Sequence, residues 1–210
     1  MRKTVTIAAL AAVLLSACTS NSPDKPAPPA AGDGVHQGAW TPAQLGMVAA
    51  TGDPAVMPST PGFSPGIIYF CRVYVDQSRA SNDAFIAVVT AGTGLTQSYL
   101  GVYDPATHKL LASTEDVSAS LQQSTPLRLP LNTVVPAESV NKELWIAVLI
   151  GKMTKSPAVI GGREYGTNIG LTDDYRLWVS KQDGYSALPT TAPEMKVPDH
   201  SSLPFVGIGP

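Results

Sequence analysis

The amino-acid sequence predicts an all-β protein, an antiparallel β-sandwich of jelly-roll type, behind an apolar leader and a proline-rich linker. Three observations carry this expectation. From Gly62 onward, apolar residues recur with a period of two in short runs, the spacing that gathers them on one face of a strand. Clusters of Gly, Pro, Asn and Asp punctuate those runs, as turns between strands do. No stretch sustains a helical period, and "PAESVNKE" has room for one turn at most.

Taken in order, the elements are these. "GIIYFCRVYV" sets Ile67, Tyr69, Cys71, Val73 and Val75 on one face and Ile68, Phe70, Arg72 and Tyr74 on the other, with the β-branched and aromatic content of a strand. "AFIAVVTAG" is the second strand. "SYLGVYD" and "KLLAST" form a hairpin across "DPATHK", where Asp104 and Pro105 favour a type I turn. "PLRLPL" places Leu127, Leu129 and Leu131 on one side, and Pro130 confines it to an edge or a bulge because proline donates nothing to a ladder. "ELWIAVLIG" is the most apolar run and is therefore expected at the centre of its sheet. "YRLWVS" alternates Tyr175, Leu177 and Val179 against Arg176 and Trp178, and "LPFVGIG" supplies the last strand. About seven or eight short strands with such punctuation are the pattern of a β-sandwich.

The leader opens Met1, Arg2, Lys3, runs uncharged from Thr4 to Leu15, and ends in Ser16 and Ala17 before Cys18. Positive start, apolar middle and small-residue exit make an export signal. The run is well short of the ~20 residues that span a bilayer, so cleavage is expected. "LSAC" resembles the lipobox of bacterial lipoproteins. That likeness implies that the Cys18 thiol is joined to diacylglycerol and becomes the first mature residue; the alternatives are a secreted protein in which Cys18 is incidental and a retained amphipathic start. At ~0.8 kcal/mol per buried methylene, two acyl chains hold a protein stably on a membrane. Residues 1–17 are accordingly read as signal peptide, 18–38 as a lipidated linker, 39–61 as a lead-in that packs in part on the domain, and 62–210 as the sandwich. The linker, "TSNSPDKPAPPAAGDGVHQG" after Cys18, has too few large apolar residues to offset its ordering entropy, and its prolines extend it. With Cys18 lipidated, Cys71 lacks a partner within the chain and is expected as a free thiol buried among apolar neighbours. A nucleophilic role would need a nearby base, and His36, His108 and His200 are scattered.

The run "PGIIYFCRVYV…AFIAVVTAGTGLTQSYLGVYDPATHKLLASTEDVS", then "PLRLPL", "ELWIAVLIGK" and "GYSALPTTAP…LPFVGI", resembles a β-sandwich module of tail and fibre proteins of actinobacterial phages. The likeness covers Pro61 to Pro210. It implies the fold and a receptor- or glycan-facing role, and brings no catalytic residue with it. Here the module stands behind a lipoprotein-like leader, unlike its place in a long tail protein.

The formal net charge is -2 and 14% of residues are charged, without a basic cluster to neutralise phosphates, so nucleic acid is not an expected partner. The chemistry-bearing motifs are weak. "GFSPG" matches G-x-S-x-G in letters, but Pro65 has no N–H to give an oxyanion, and the motif precedes a strand instead of ending one. "SVNK" matches S-x-x-K without a companion K-T-G. "AGTGLT" opens no helix and offers no lysine, as a phosphate loop must. Glu115 with Asp116 and Asp173 with Asp174 are adjacent acids; a calcium site using Asp173 or Asp174 with loop carbonyls is the open alternative, but no D-x-D-x-D spacing supports it, and neither a metal nor a cofactor is expected.

Aromatic residues carry the functional expectation. Trp178, with Tyr185 in "QDGYSALP" and Arg176 two residues before it on the same strand face, forms a candidate platform for a sugar ring; the competing reading puts Trp178 in the core. The sequence thus points to a non-catalytic lipoprotein, anchored outside the cytoplasm, that binds an envelope glycan or envelope protein. Two rivals remain: a phage- or prophage-encoded exclusion lipoprotein that engages an envelope receptor or tail component, and an envelope-polymer hydrolase using Asp173 or Glu115.

Overall fold

A computed structural model of the chain describes residues 39–58, 61–162, 175–198 and 201–210. Cys18, the leader, the linker, His36, His200 and the Asp173–Asp174 pair lie outside the described residues. Two antiparallel sheets pack face to face as a β-sandwich. The first is ordered β1 (Ala49–Ala50), β11 (Val206–Gly209), β3 (Ser81–Thr90), β6 (Pro126–Val135), with β8 (Ala158–Val159) also on β3. The second is ordered β10 (Met195–Lys196), β9 (Leu177–Ser180), β2 (Ile68–Tyr74), β7 (Glu143–Lys152), β4 (Thr96–Asp104), β5 (Lys109–Ser113). Among the described strands, only β4–β5 and β9–β10 follow one another within a sheet; every other connection crosses the sandwich.

The period-two pattern explains the layering. Tyr69, Cys71 and Val73 of β2, Ile146 and Val148 of β7 and Val102 of β4 point inward and meet Ala84, Ile86 and Val88 of β3 with Val206 and Ile208 of β11. Each large aliphatic side chain so buried contributes roughly 1.5–3 kcal/mol. Cys71 is a free, fully buried thiol of this core, and burial pushes its ionisation up, which leaves it without a nucleophile's character. β6, with Pro126 and Pro130, is an edge strand, and β7 lies at the centre of its sheet between β2 and β4.

The sandwich begins inside the 39–61 segment. Val48 and Ala49 are core residues, β1 pairs with β11 at Ala49↔Ile208, and the buried Asp53 accepts from Trp40 N at 2.8 Å and Ala55 N at 2.9 Å. "GFSPG" is a turn, in which Ser64 N donates to Tyr69 Oη at 3.0 Å and Ile67 N to Ser64 O at 3.5 Å.

Asp116 has a structural role. Its carboxylate accepts from Gln97 N (3.0 Å), Ser98 N (3.1 Å) and Ser118 N (2.9 Å), and from the Ser118 hydroxyl, tying the start of β4 to the loop after β5. Burial disfavours its charge, but the bonds from Ser118, Ser98 and Gln97 outweigh that and hold its ionisation below the usual carboxylate range. A depressed folded-state value means stability that is complete above the unfolded carboxylate's titration near pH ~4 and lost as pH falls through the folded one. Asp116→Ala is expected to cost about 1 kcal/mol, the low end for such bonds because the group is exposed. Urea unfolding at neutral pH should show that difference, and it should shrink at acid pH.

Candidate functional site

A strand with one face in water alternates buried and exposed residues, yet β7 is buried continuously from Leu144 to Ile150. The outer face of the second sheet therefore has a cover. Ile68, Phe70, Tyr103, Trp145, Ala147 and Leu149 form a second apolar cluster there, and the segment 181–195 lies over it through Tyr185, Leu188, Ala192 and Met195. This strap is closed on itself where its ends meet and stitched to the sheet in between. Lys181 N donates to Glu194 O (2.9 Å), Tyr185 N to Gly66 O (3.1 Å), Leu110 N to Thr190 O (2.9 Å) and Ala192 N to His108 O (2.7 Å), while Tyr103 Oη donates to Pro189 O (2.7 Å). Burial first, then the nearby Tyr185, raises the ionisation of Tyr103, so the phenol stays a neutral donor. Gly101 of β4 makes room for the strap: a Cβ there would stand 2.5 Å from Leu188 Cδ1.

Register then arranges the outer face in rows. Trp178 of β9, Phe70 of β2, Ala147 of β7 and Gly101 of β4 are partners in one row; Arg72, Trp145 and Tyr103 make the next. Phe70 meets Tyr103 and Trp145 edge-on, with centroids 5.4 and 6.3 Å away. The strap leaves one end of these rows open as a cleft of ≈ 480 Å³ lined by His108, Trp145, Trp178, Ala192, Pro193, Glu194 and Met195. That volume falls within the range of small-ligand sites. Two indoles form its corner, with centroids 5.5 Å apart and planes inclined at 48°. His108 lies against Trp145 at 5.2 Å. The turn before it sets this position: Asp104 accepts from Ala106 N (3.3 Å) and Thr107 Oγ1 (2.7 Å), and His108 follows in the left-handed region at φ 59°. The Thr107 hydroxyl bond leads the interactions that keep Asp104 below the ordinary carboxylate range.

Polar groups brace the indoles from behind. Trp145 Nε1 donates to Glu143 Oε1 at 2.7 Å, and Arg72 Nε stands 3.0 Å from the same oxygen. The indole N–H takes the aligned position, so the arginine contact is an ion pair and not a directed hydrogen bond. The Arg72 guanidinium lies 5.0 Å from the Trp178 ring centroid and 6.0 Å from that of Tyr74. Cation–π contacts of this kind contribute ~0.5–2 kcal/mol according to their desolvation. At the rim, Lys181 Nζ pairs with Glu194 Oε1 at 2.9 Å, an exposed contact of little energetic weight.

The three residues that the sequence singled out do not share one site. Trp178 faces away from the sandwich core, since Leu177 and Val179 point inward, but it is half-buried: a cleft wall, not an open platform. Arg176 is exposed and borders a separate hollow of ≈ 340 Å³ with Arg72, Tyr74 and Asn141. Tyr185 belongs to the strap, points down onto the apolar cluster and does not line the cleft. Trp145, His108, Glu143, Arg72 and Glu194 were not singled out; the missing alternation of "ELWIAVLIG" was the available signal that its outer side, Trp145 included, is covered. Among the described residues no group of three His, Cys, Asp or Glu side chains could hold a metal ion, and no helix is long and apolar enough to cross a membrane. No family model and no curated protein matches this chain.

Proposed function

We propose that this is a non-catalytic binding protein of the cell envelope, carried on a lipid at Cys18, whose sandwich takes up a saccharide in the cleft between Trp145 and Trp178. One observation carries the reading: two indoles meet at 48° at the corner of a cleft whose rim offers the Glu194 carboxylate and the His108 imidazole. Flat apolar walls suit the C–H faces of a pyranose, and a carboxylate and an imidazole can bond its hydroxyls. Rigid strand positions keep the ordering cost of binding low. The leader's lipobox-like "LSAC" and the likeness to phage tail and fibre modules support a place at the envelope.

Titration of the full-length protein with oligomers of glucose, galactose, mannose and N-acetylglucosamine, followed by indole fluorescence, tests the reading. One class should bind, and Trp178→Ala should weaken it by more than about tenfold in a variant that is still folded at the temperature of the titration. A wild-type protein indifferent to all four, or a Trp178→Ala variant that binds as well as wild type, would overturn it.

A further inference from the structure

We propose that Arg72 is the positioning residue of this cleft: held by Glu143, its guanidinium fixes Trp178 against Trp145 and so sets the angle of the binding corner. The inference rests on the saccharide-binding reading for its ligand, but its decisive readout needs none. It starts from an anomaly of placement. Arg72 occupies the outer face of β2 one row from Phe70, among apolar side chains, and its side chain is only 12% exposed, with Glu143 at 25%. Taking such a pair out of water costs much of what its attraction returns, and apolar residues of similar volume are often as stable or more so. The pair with Glu143 by itself thus poorly explains the charge as a stabiliser of the sheet. Two of the arginine's contacts point to what it organises. Glu143 holds the N–H of one indole, and the arginine it also holds lies over the ring of the other.

Trp178 needs that support. β9 is a short strand, and among the described strands the two-residue β10 alone flanks it on its outer side. Among the described residues, no hydrogen bond from the Trp178 indole N–H restrains the ring. Tyr175 meets it edge-on at 6.5 Å, and Trp145 is tilted on it at 5.5 Å. Arg72 does not line the cleft, so it acts through the indole and touches no ligand. Its planar guanidinium can stack on a ring while its edge meets a carboxylate, which an ammonium cannot do in the same way.

The test is the paired variant Arg72→Met with Glu143→Gln, which removes both charges and leaves the glutamine oxygen to accept from Trp145. Two indoles this close give a coupled pair of far-ultraviolet circular dichroism bands whose size depends on their angle. The paired variant should lose most of that couplet while melting no lower than wild type, and should bind the best saccharide of the panel more than about tenfold more weakly. Arg72→Lys, which keeps a cation near the ring, should recover part of both signals. An unchanged couplet in the paired variant would overturn the proposal, as would a couplet lost only in step with melting. If wild type binds no saccharide and the couplet still collapses, the positioning role stands and the ligand reading alone falls.

Discussion

Trp145→Ala is expected to cost about 3–5 kcal/mol, the range for removing a large aromatic from a packed site. Trp145 sits on the central strand of its sheet and is 7% exposed, although it faces away from the sandwich core. Phe70, Trp178 and His108 all rest on its ring, so truncation would open a void that none of them can fill without leaving its own rotamer. The Glu143 carboxylate would lose its aligned donor as well. In a domain of this size the change corresponds to a fall of about 10 °C in melting temperature. Urea unfolding of the two proteins measures it directly. A loss below about 1 kcal/mol would show that the outer cluster is a surface ornament of the sandwich and not a second core.

Gly66→Ala is the second large effect. Gly66 has φ +69°, a conformation that costs a residue with a Cβ roughly 1–2 kcal/mol. The added Cβ would also stand 2.6 Å from Gly184 N and 2.9 Å from Gly184 Cα, backbone atoms that cannot turn aside. Overpacking of that kind adds about 1–3 kcal/mol. Relief requires the strap to lift, since Gly66 O is the acceptor for Tyr185 N. The expected result is a loss of about 3 kcal/mol together with rapid tryptic cleavage after Lys181, while the inner sandwich remains resistant. Unchanged resistance at Lys181 would mean that the strap does not depend on its close approach at Gly66.

Where burial followed a two-residue period, the chain was readable from its letters. Cys71 and Val73 inward against Phe70 and Arg72 outward, Pro130 at an edge, and the apolar β7 at a centre all follow from pleat geometry and from proline's missing donor. The strap was not readable in the same way. "KQDGYSALPTTAPEM" has the composition of a loop: Tyr185, Leu188, Ala192 and Met195 recur at helical spacing, but Gly184, Pro189 and Pro193 forbid the helix that would use it. An irregular segment packs wherever a face offers it sockets, and here the sockets are made by other elements: the bare Gly101 and the carbonyl of Gly66. The candidate site was visible only at Trp178. Its partners Arg72, Glu143 and Trp145 come from β2 and β7, far away in sequence, and only strand register sets them side by side.

The place of β11 has a consequence for when this protein can fold. Residues 206–209 form an interior strand, with β1 on one side and β3 on the other, and Ala49 pairs with Ile208. Until those residues are available, β1 has no sheet to join and β3 lacks its partner along residues 83–86. Pairings so distant along the chain must pay loop-closure entropy before they return any contact, which makes them slow to form. The first sheet therefore closes only when residues 206–209 insert between β1 and β3, and a chain in which they have not yet done so keeps both strands' facing edges unpaired.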